Sequence, residues 1–547
     1  RKTMKKIYIL IGIAVCSLTA CNQLLDELPD NQVRIDTPEK ARRLLTNAYP
    51  KTGEIVISEL SSDNIDDNGT IISGANYLSN EASYWQVIRE YNNSDGLQNV
   101  WTAHYQAINT ANTVLEAIEK MGTSAELNAC KGEALVARAY AHFVLVNLFS
   151  KPYNPNSSSS DLGIPYMLEP ESELNRKYER GTVAEVYAKI NADLSAGLPL
   201  INDSYYQTPK YHFNKKAAYA FAARFYLYYQ QWQKALDAAN IVLTTNDATT
   251  EGLLRNWSDF TDASKTGGKV FGRFAIYYTN ERINANLLLL PVSSEISETY
   301  FTPYTRFVHN KRTNSEETLV TANLWYPQRQ PNNNFSFGYY YFEPFTPTSA
   351  RADGVVVDKF PKFNAKNEEG VTVKKSIIVP FTTDETLLVR AEAKIHLQQY
   401  ASAVNDLNMW TGKFIKKDVT IGGYTSKNQF TQQEIVDFYN NLAYSSTATD
   451  NGATQKKRLA PSFTIANDGI QEPLLHYLLQ CRRILTLGEG LRWQDIRRYN
   501  IEVARYQRDN RNRNNSTIKA ILPPNDLKRT IQLPDAVIGA GMQANPR

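Results

Sequence analysis

The chain is expected to be mainly α, with tetratricopeptide-like helix pairs forming a scaffold and a loop-rich, partly β irregular region packed on it. Three observations carry that expectation. Two adjacent stretches, about Leu97 to Met121 and about Ala125 to Phe149, hold apolar residues at helical spacing over many turns. An Ala- and Tyr-rich helix pair near 217–243 recurs near 388–410. Between these copies, 256–381 loses helical periodicity, is cut by prolines and is crowded with aromatic residues.

The N-terminus is an address before it is structure. Lys5 and Lys6 precede an apolar run from Ile7 to Leu18, which is shorter than the ~20 residues a membrane-spanning helix needs. That pattern is a secretory signal. Leu18-Thr19-Ala20-Cys21 resembles the lipobox of bacterial lipoproteins, which implies acylation of Cys21 as the mature N-terminus. Residues 1–20 are therefore expected to be a signal peptide starting at Met4, 21–36 a tether that includes the polar stretch Asn22 to Val33, and 37–547 the folded body. Within that body the spacing divides 37–255, 256–383 and 384–547 into a helical half, a loop-rich aromatic region and a second helical half.

Thr37 suits an N-cap, Pro38 the first turn, and Ala41, Leu44, Leu45 and Ala48 mark an apolar face before Pro50. Gly53 to Gly96, rich in Asn and Asp, reads as loops with possible short strands. Trp101, Tyr105, Ile108, Ala111, Asn112 and Leu115 lie on one face of the first long helix. Lys151 to Pro170, with three prolines before its end and four consecutive serines, is expected to be an exposed connection. Val183 to Leu198 suggests another helix.

Tyr219, Ala222, Ala223 and Tyr226 share a helix face, a break falls near Gln230, and Trp232, Ala235, Ala239 and Val242 continue. Leu388, Ala391, Tyr400, Ala403, Leu407 and Trp410 repeat that order, which is the grammar of a tetratricopeptide pair. Helical spacing returns at Pro473 to Tyr499, and the basic Arg505 to Asn515 reads as a solvated turn.

Composition narrows the function. A net charge of +4 from 60 basic and 56 acidic residues leaves no footprint for nucleic acid. Cys130 and Cys481 are expected as two buried free thiols rather than a bridge. The six histidines form no His-Glu-x-x-His pattern, and no Gly-x-Ser-x-Gly or phosphate-binding glycine loop occurs. Asn64, Asp66, Asn68 and Gly69 imitate half a calcium loop, but Ala75 stands where a bidentate Glu is required. No catalytic residue, metal ligand or cofactor is assigned.

Several motifs together resemble the SusD/RagB family of outer-membrane nutrient-binding lipoproteins. They are the lipobox, Trp101-x-x-x-Tyr105-x-x-Ile108-x-x-Ala111-Asn112, Glu133-Ala134-x-x-x-Arg138-Ala139-Tyr140, Leu148-Phe149 and Gly163-Ile164-Pro165. Near the end stand Arg482-Arg483, Gly488-Glu489-Gly490-x-Arg492-Trp493-x-Asp495-x-Arg497-Arg498 and Leu522-Pro523-Pro524. Cys481 and Leu485 stand where the family usually has acidic residues, and Leu491 where it has His. The resemblance implies four tetratricopeptide pairs and no catalysis. It also implies a lipid anchor at the cell surface and a SusC-like TonB-dependent transporter as partner. The ligand would be an oligosaccharide, or in some members a peptide.

Aromatic rings stack on the apolar face of a pyranose, and Asn or Asp bonds its hydroxyls. On that ground the ligand contacts are expected from Tyr84, Trp85, Trp325, Tyr326, Tyr339, Tyr340 and Tyr341, while Trp101, Trp232, Trp410 and Trp493 belong to the core. A surface glycan-active enzyme and a helical-repeat assembly factor are the other classes that the residues leave open. The identity of the ligand is not written in the sequence.

Overall fold

Helices pair closely where small residues let their axes approach. In this computed structural model, residues 34–547 are described except 73–75, 90–92, 173–175, 262–272, 332–333, 347–352, 367–369 and 513. Cys21, the signal peptide and nearly all of the tether, up to Val33, thus lie outside the described residues. Helix α1 (Pro38–Leu45) starts under Thr37, whose hydroxyl accepts from the Lys40 amide at 3.2 Å. Then come α2 (Ile55–Ser61), β1 (Asp66–Asp67) and α3 (Tyr77–Ser83). These two short helices correct the expectation of loops from 53 to 96. Val56 to Ser61 are all buried, so α2 has no polar face to produce a helical period.

The long helices α4 (Leu97–Met121) and α5 (Ala125–Phe149) occupy their expected spans and pack on one another. Helix α6 (Val183–Gly197) follows a capping box at Thr182 and Glu185 and packs on α5. The connection between α5 and α6 is less exposed than its composition implies. Ser158, Asp161 and Ile164 are buried, with Asp161 held by Lys151 at 2.7 Å and by the Ser157 hydroxyl at 2.6 Å.

Helix α7 (Lys215–Tyr228) buries five alanines, and α8 (Trp232–Leu243) three more, at their crossing. The chain then leaves the stack at Leu243 and returns as α9 (Thr383–His396), which packs on α8 and on α10 (Tyr400–Phe414). The two recurring pairs turn at equivalent places, Gln230 (φ 59°) and Gln398 (φ 58°). Each scaffold half also carries an ionic lock between consecutive helices. Arg138 of α5 grips Asp193 of α6 through bonds of 2.8 and 2.6 Å, and Arg390 of α9 grips Asp406 of α10 through bonds of 3.0 and 2.7 Å.

Among its described residues the 256–381 stretch is irregular and partly β, as expected. Strand β2 (Asn286–Ser293) leads to β3 (Phe307–Val308), and β4 (Phe363–Lys366) to β5 (Thr372–Thr382); β5 pairs antiparallel with both β2 and β4. The C-terminal part supplies α11 (Gln471–Leu485), α12 (Leu491–Arg498), β6 (Val503–Arg508) and β7 (Ser516–Leu522). A second sheet of order β3-β1-β6-β7 joins parts of the chain that are far apart in sequence. Arg505 and Arg508 lie buried in β6, so the first part of the 505–515 run is not a solvated turn. Arg505 Nε and Nη2 donate to the carbonyls of Ser83 and Leu60, at 2.8 and 3.0 Å.

The glycine- and arginine-rich closing motif folds onto the start of the body. The Glu59 carboxylate accepts from the amides of Gly488 and Gly490 and from Asn64 Nδ2, each at 2.9 Å. Gly490 has φ 75°, and a Cβ there would meet Ser58 Cβ at 3.1 Å and Ile55 Cα at 3.2 Å, so the position requires glycine. Arg492 grips Asp63 through two bonds of 2.8 Å, and Arg483 reaches the Asp63 carbonyl at 2.7 Å and Glu317 at 3.2 Å. Burial disfavours the Asp63 charge, but these guanidiniums outweigh it and hold the carboxyl well below the usual range.

Cys130 and Cys481 are free and buried. Trp101, Trp410 and Trp493 are core residues, while Trp232 is half-buried and stacks on His396 with centroids 4.1 Å apart. Among the described residues no helix is long and apolar enough to cross a membrane.

Candidate functional site

Sheet pairing brings Asp66 and Asp67 of β1 against Val308 and Phe307 of β3, and the Asn68 amide donates to the Arg306 carbonyl at 2.8 Å. Asp67 is the anchor of this junction. It accepts two 2.6 Å bonds from Arg306, one of 2.8 Å from the Tyr84 hydroxyl and one of 2.7 Å from Gln507. Burial opposes its charge, yet the bonds from Arg306, Gln507 and Tyr84 prevail and lower its pKa. Burial, followed by the neighbouring Asp67 charge, raises that of Tyr84. Asp66 is similarly occupied, with Arg312 at 2.6 Å and the Thr313 hydroxyl at 2.8 Å. The carboxylates of Asp66 and Asp67 thus neutralise arginines. The half calcium pattern follows suit, since Asn64 and Asn68 bond Arg483 and Asn310.

A second clamp lies beside the first. Asn76 caps α3 and donates through Nδ2 to the Tyr300 hydroxyl at 3.1 Å, and Asn93 Nδ2 donates to the same oxygen. Tyr300 is buried, but the residues flanking these anchor points are open: Tyr77 is 70% exposed, Tyr304 55% and Ile71 52%. The turn between β6 and β7 reaches Thr70, the neighbour of Ile71, through Asn510 Nδ2, which donates to the Thr70 hydroxyl at 3.0 Å. Asn510, Asn512 and Asn514 of that turn are exposed. Exposed rings and exposed amides therefore lie on segments anchored by buried ion pairs.

The seven expected ligand residues fall into two groups. Tyr84 and Trp85 are at this junction. Tyr84 is half-buried, its ring edge-on to Phe307 at 5.9 Å. Trp85 is buried, donates through Nε1 to the Ser61 carbonyl at 2.9 Å and lies under the Arg505 guanidinium. The other five converge with Trp410 and Phe414 of α10. Trp325 Nε1 donates to the Tyr340 hydroxyl at 3.2 Å, which itself donates to the Leu319 carbonyl at 2.6 Å. Tyr326 and Tyr339 stack with centroids 5.0 Å apart. Trp325, Tyr326, Tyr339 and Tyr340 are buried, and only Tyr341 keeps part of its surface. These four rings, with Trp85, are occupied in packing because the loops that carry them lie down on the scaffold with their flat faces inward. Tyr77 and the Asn510 turn escaped the sequence reading. An exposed tyrosine at a helix start has no periodic signature that separates it from a buried one.

Residues 23–227 match the model of the SusD-like family described as starch-binding, associating with the outer membrane. No curated protein matches the sequence. The fold is shared with solved structures from three species of Bacteroides. A SusD superfamily protein from Bacteroides thetaiotaomicron VPI-5482 is 18% identical, with a TM-score of 0.59 over 93% of this chain and 100% of that one. A SusD-like carbohydrate-binding protein from Bacteroides vulgatus ATCC 8482 is 16% identical, with a TM-score of 0.57 over 92% and 97%. A SusD-like protein from Bacteroides fragilis NCTC 9343 is 14% identical, with a TM-score of 0.59 over 95% and 99%.

Proposed function

We propose, on the premise that this chain is a SusD-like protein, that it is a non-catalytic, lipid-anchored cell-surface protein. It captures an oligosaccharide and hands it to a SusC-like TonB-dependent transporter in the outer membrane. The observation that carries this reading is the exposure of the rings of Tyr77 and Tyr304, which flank the Asn76–Tyr300 bond, together with the exposed amides of Asn510, Asn512 and Asn514. Rings of this kind cover the C–H face of a sugar, and amides bond its hydroxyls on both donor and acceptor sides. The relative from Bacteroides vulgatus, described as carbohydrate-binding, supports the same ligand class.

Tyr84 and Tyr341 retain surface for direct contact, whereas Trp85, Trp325, Tyr326, Tyr339 and Tyr340 serve the site by holding its loops rigid. The lipid on Cys21 and the tether through Val33 would keep the body beside its transporter at high effective concentration while leaving it free to swing. In this arrangement 37–255 and 384–547 are the scaffold halves that meet the transporter, and 256–383 helps to carry the ligand surface.

A glycan array on the full mature chain identifies the saccharide, and titration calorimetry then compares Tyr77→Ala and Tyr304→Ala with the parent. Each substitution is expected to weaken binding about tenfold, or ~1.4 kcal/mol. Unchanged affinity in both variants would remove the junction from the ligand surface.

A further inference from the structure

On the opposite kind of surface, the helical scaffold, lies a cleft of about 980 Å³, at the upper end of the roughly 300–1,000 Å³ of small-molecule sites. One wall is the face of α4 bearing Gln98, Thr102, Tyr105 and Asn109, spaced so that all four lie on one side of the helix. The second wall is formed by Leu162, Pro165, Met167, Glu169, Glu171 and the residues from Arg176 to Gly181, and the third by Ala536, Val537 and the stretch from Ala540 to Gln543. Arg180 staples the walls together, donating to the carbonyls of Gly163, Gln543 and Phe149 at 2.7, 2.9 and 3.2 Å. The opening is thus held in place by a buried guanidinium.

The chemistry of the lining selects the occupant. Tyr105 is half-buried against Trp101, and its ring forms an apolar floor. Gln98 Nε2 donates to the Thr102 hydroxyl at 3.0 Å, and Gln98 Oε1 has no partner among the described residues. An extended peptide would need a free backbone edge, and the second wall offers little of one. The carbonyl of Pro165 is taken by Tyr105, those of Met167 and Glu169 by Asn112 and that of Leu168 by Arg138. The amides of Met167 and Glu171 are taken by His142 and Asn109. An anion is not favoured either, because Glu169, Glu171 and Glu179 balance Arg176, Lys177 and Arg180. What is left is side-chain recognition by a ring, the Gln98 amide oxygen and the Thr102 hydroxyl, without net charge.

We infer that this cleft is a second saccharide subsite, taking a segment of neutral oligosaccharide on the Tyr105 floor, separate from the site at Tyr77 and Tyr304. It rests on the glycan-binding function proposed above and adds a second point of contact to it, so a long chain would be held at two places with a corresponding gain in avidity.

The test titrates the full mature chain with maltohexaose, cellohexaose, xylohexaose and mannohexaose. In a Tyr77→Ala/Tyr304→Ala variant, a hexasaccharide bound by the parent should still bind, and adding Thr102→Trp, which fills the cleft, should weaken that remainder by about tenfold or more. Complete loss of binding in the Tyr77→Ala/Tyr304→Ala variant, or a remainder indifferent to Thr102→Trp, overturns the subsite while leaving the function intact. Should the tryptophan variant fail to fold, peroxide oxidation of the parent decides instead, since Met167 and Met542 line the cleft. Saturating hexasaccharide is expected to slow their oxidation by about threefold or more, because susceptibility follows exposure, and an unchanged rate overturns the subsite. If no hexasaccharide binds the parent, the oligosaccharide function itself falls, and the subsite with it.

Discussion

Asp406 shows how much a single side chain can decide in this interior. It is fully buried and answers two cations, the Arg390 guanidinium and the Lys394 ammonium, the latter at 2.8 Å. Taking charges out of water is costly, and truncating one partner leaves the other unpaired in a place water cannot reach. Asp406→Ala is therefore expected to lower stability by about 3–5 kcal/mol, read from the urea midpoint. The Lys120–Glu116 pair has a shorter-looking claim to importance, at 2.7 Å, but its side chains are 73% and 48% exposed. Removing Glu116 should change the midpoint by less than ~1 kcal/mol. A similar cost for both variants would mean that burial is not what gives the ion pair its weight.

At the scale of elements, the aromatic loops are docked on α10 by a few polar bonds within an apolar cluster. Tyr340 is the hinge of that docking, accepting from Trp325 and donating to Leu319. Tyr340→Phe keeps the ring and its packing against Phe414 but leaves the buried Trp325 N–H without a partner, while the Leu319 carbonyl retains Asn323 and Tyr339. The expected cost is about 1–3 kcal/mol. Hydrogen exchange should localise it, with faster exchange across 319–342 and no change in α4 and α5. Uniform loss of protection would show that the loops and scaffold open as one unit.

For the whole molecule, pH is the informative variable. Burial depresses His104 and His396 to about 4, and His142 and His309 to about 3. Their unfolded values lie near 6.5, so the unfolded chain binds more protons as pH falls below that point. The stability they contribute is present above pH 6.5 and is lost toward pH 4 and below, by about 2 kcal/mol per histidine at pH 5. Asp95 runs the other way. Burial raises it to about 6 despite bonds from Ser294 and the Glu295 amide, so it destabilises the fold as pH rises from about 4 through 6. Burial raises Glu54, Glu59 and Glu316 in the same direction as Asp95, and with the four more strongly shifted histidines opposing them Tm is expected to fall as pH is lowered from 7 to 5. A flat or rising Tm over that interval would contradict the burial of these rings.

By itself the sequence determined where the long helices begin and end. The bounds of α4 and α5, the Thr37 cap and the two pairs that turn at Gln230 and Gln398 depend on neighbours within a few turns, and so does the resemblance of Leu18 to Cys21 to a lipobox. The tertiary structure alone decided which aromatics are exposed and which are packed. Trp325 and Tyr304 both lie in the same proline-cut stretch, but one is buried against α10 and the other is 55% exposed. It also decided that Arg483, Arg492 and Arg505 are interior residues, since the groups that satisfy them, at Asp63, Glu317 and Leu60, come from segments far away along the chain. Periodicity is a local property and can be read from spacing. Burial is a property of whatever segment arrives to cover a residue, and no spacing records that.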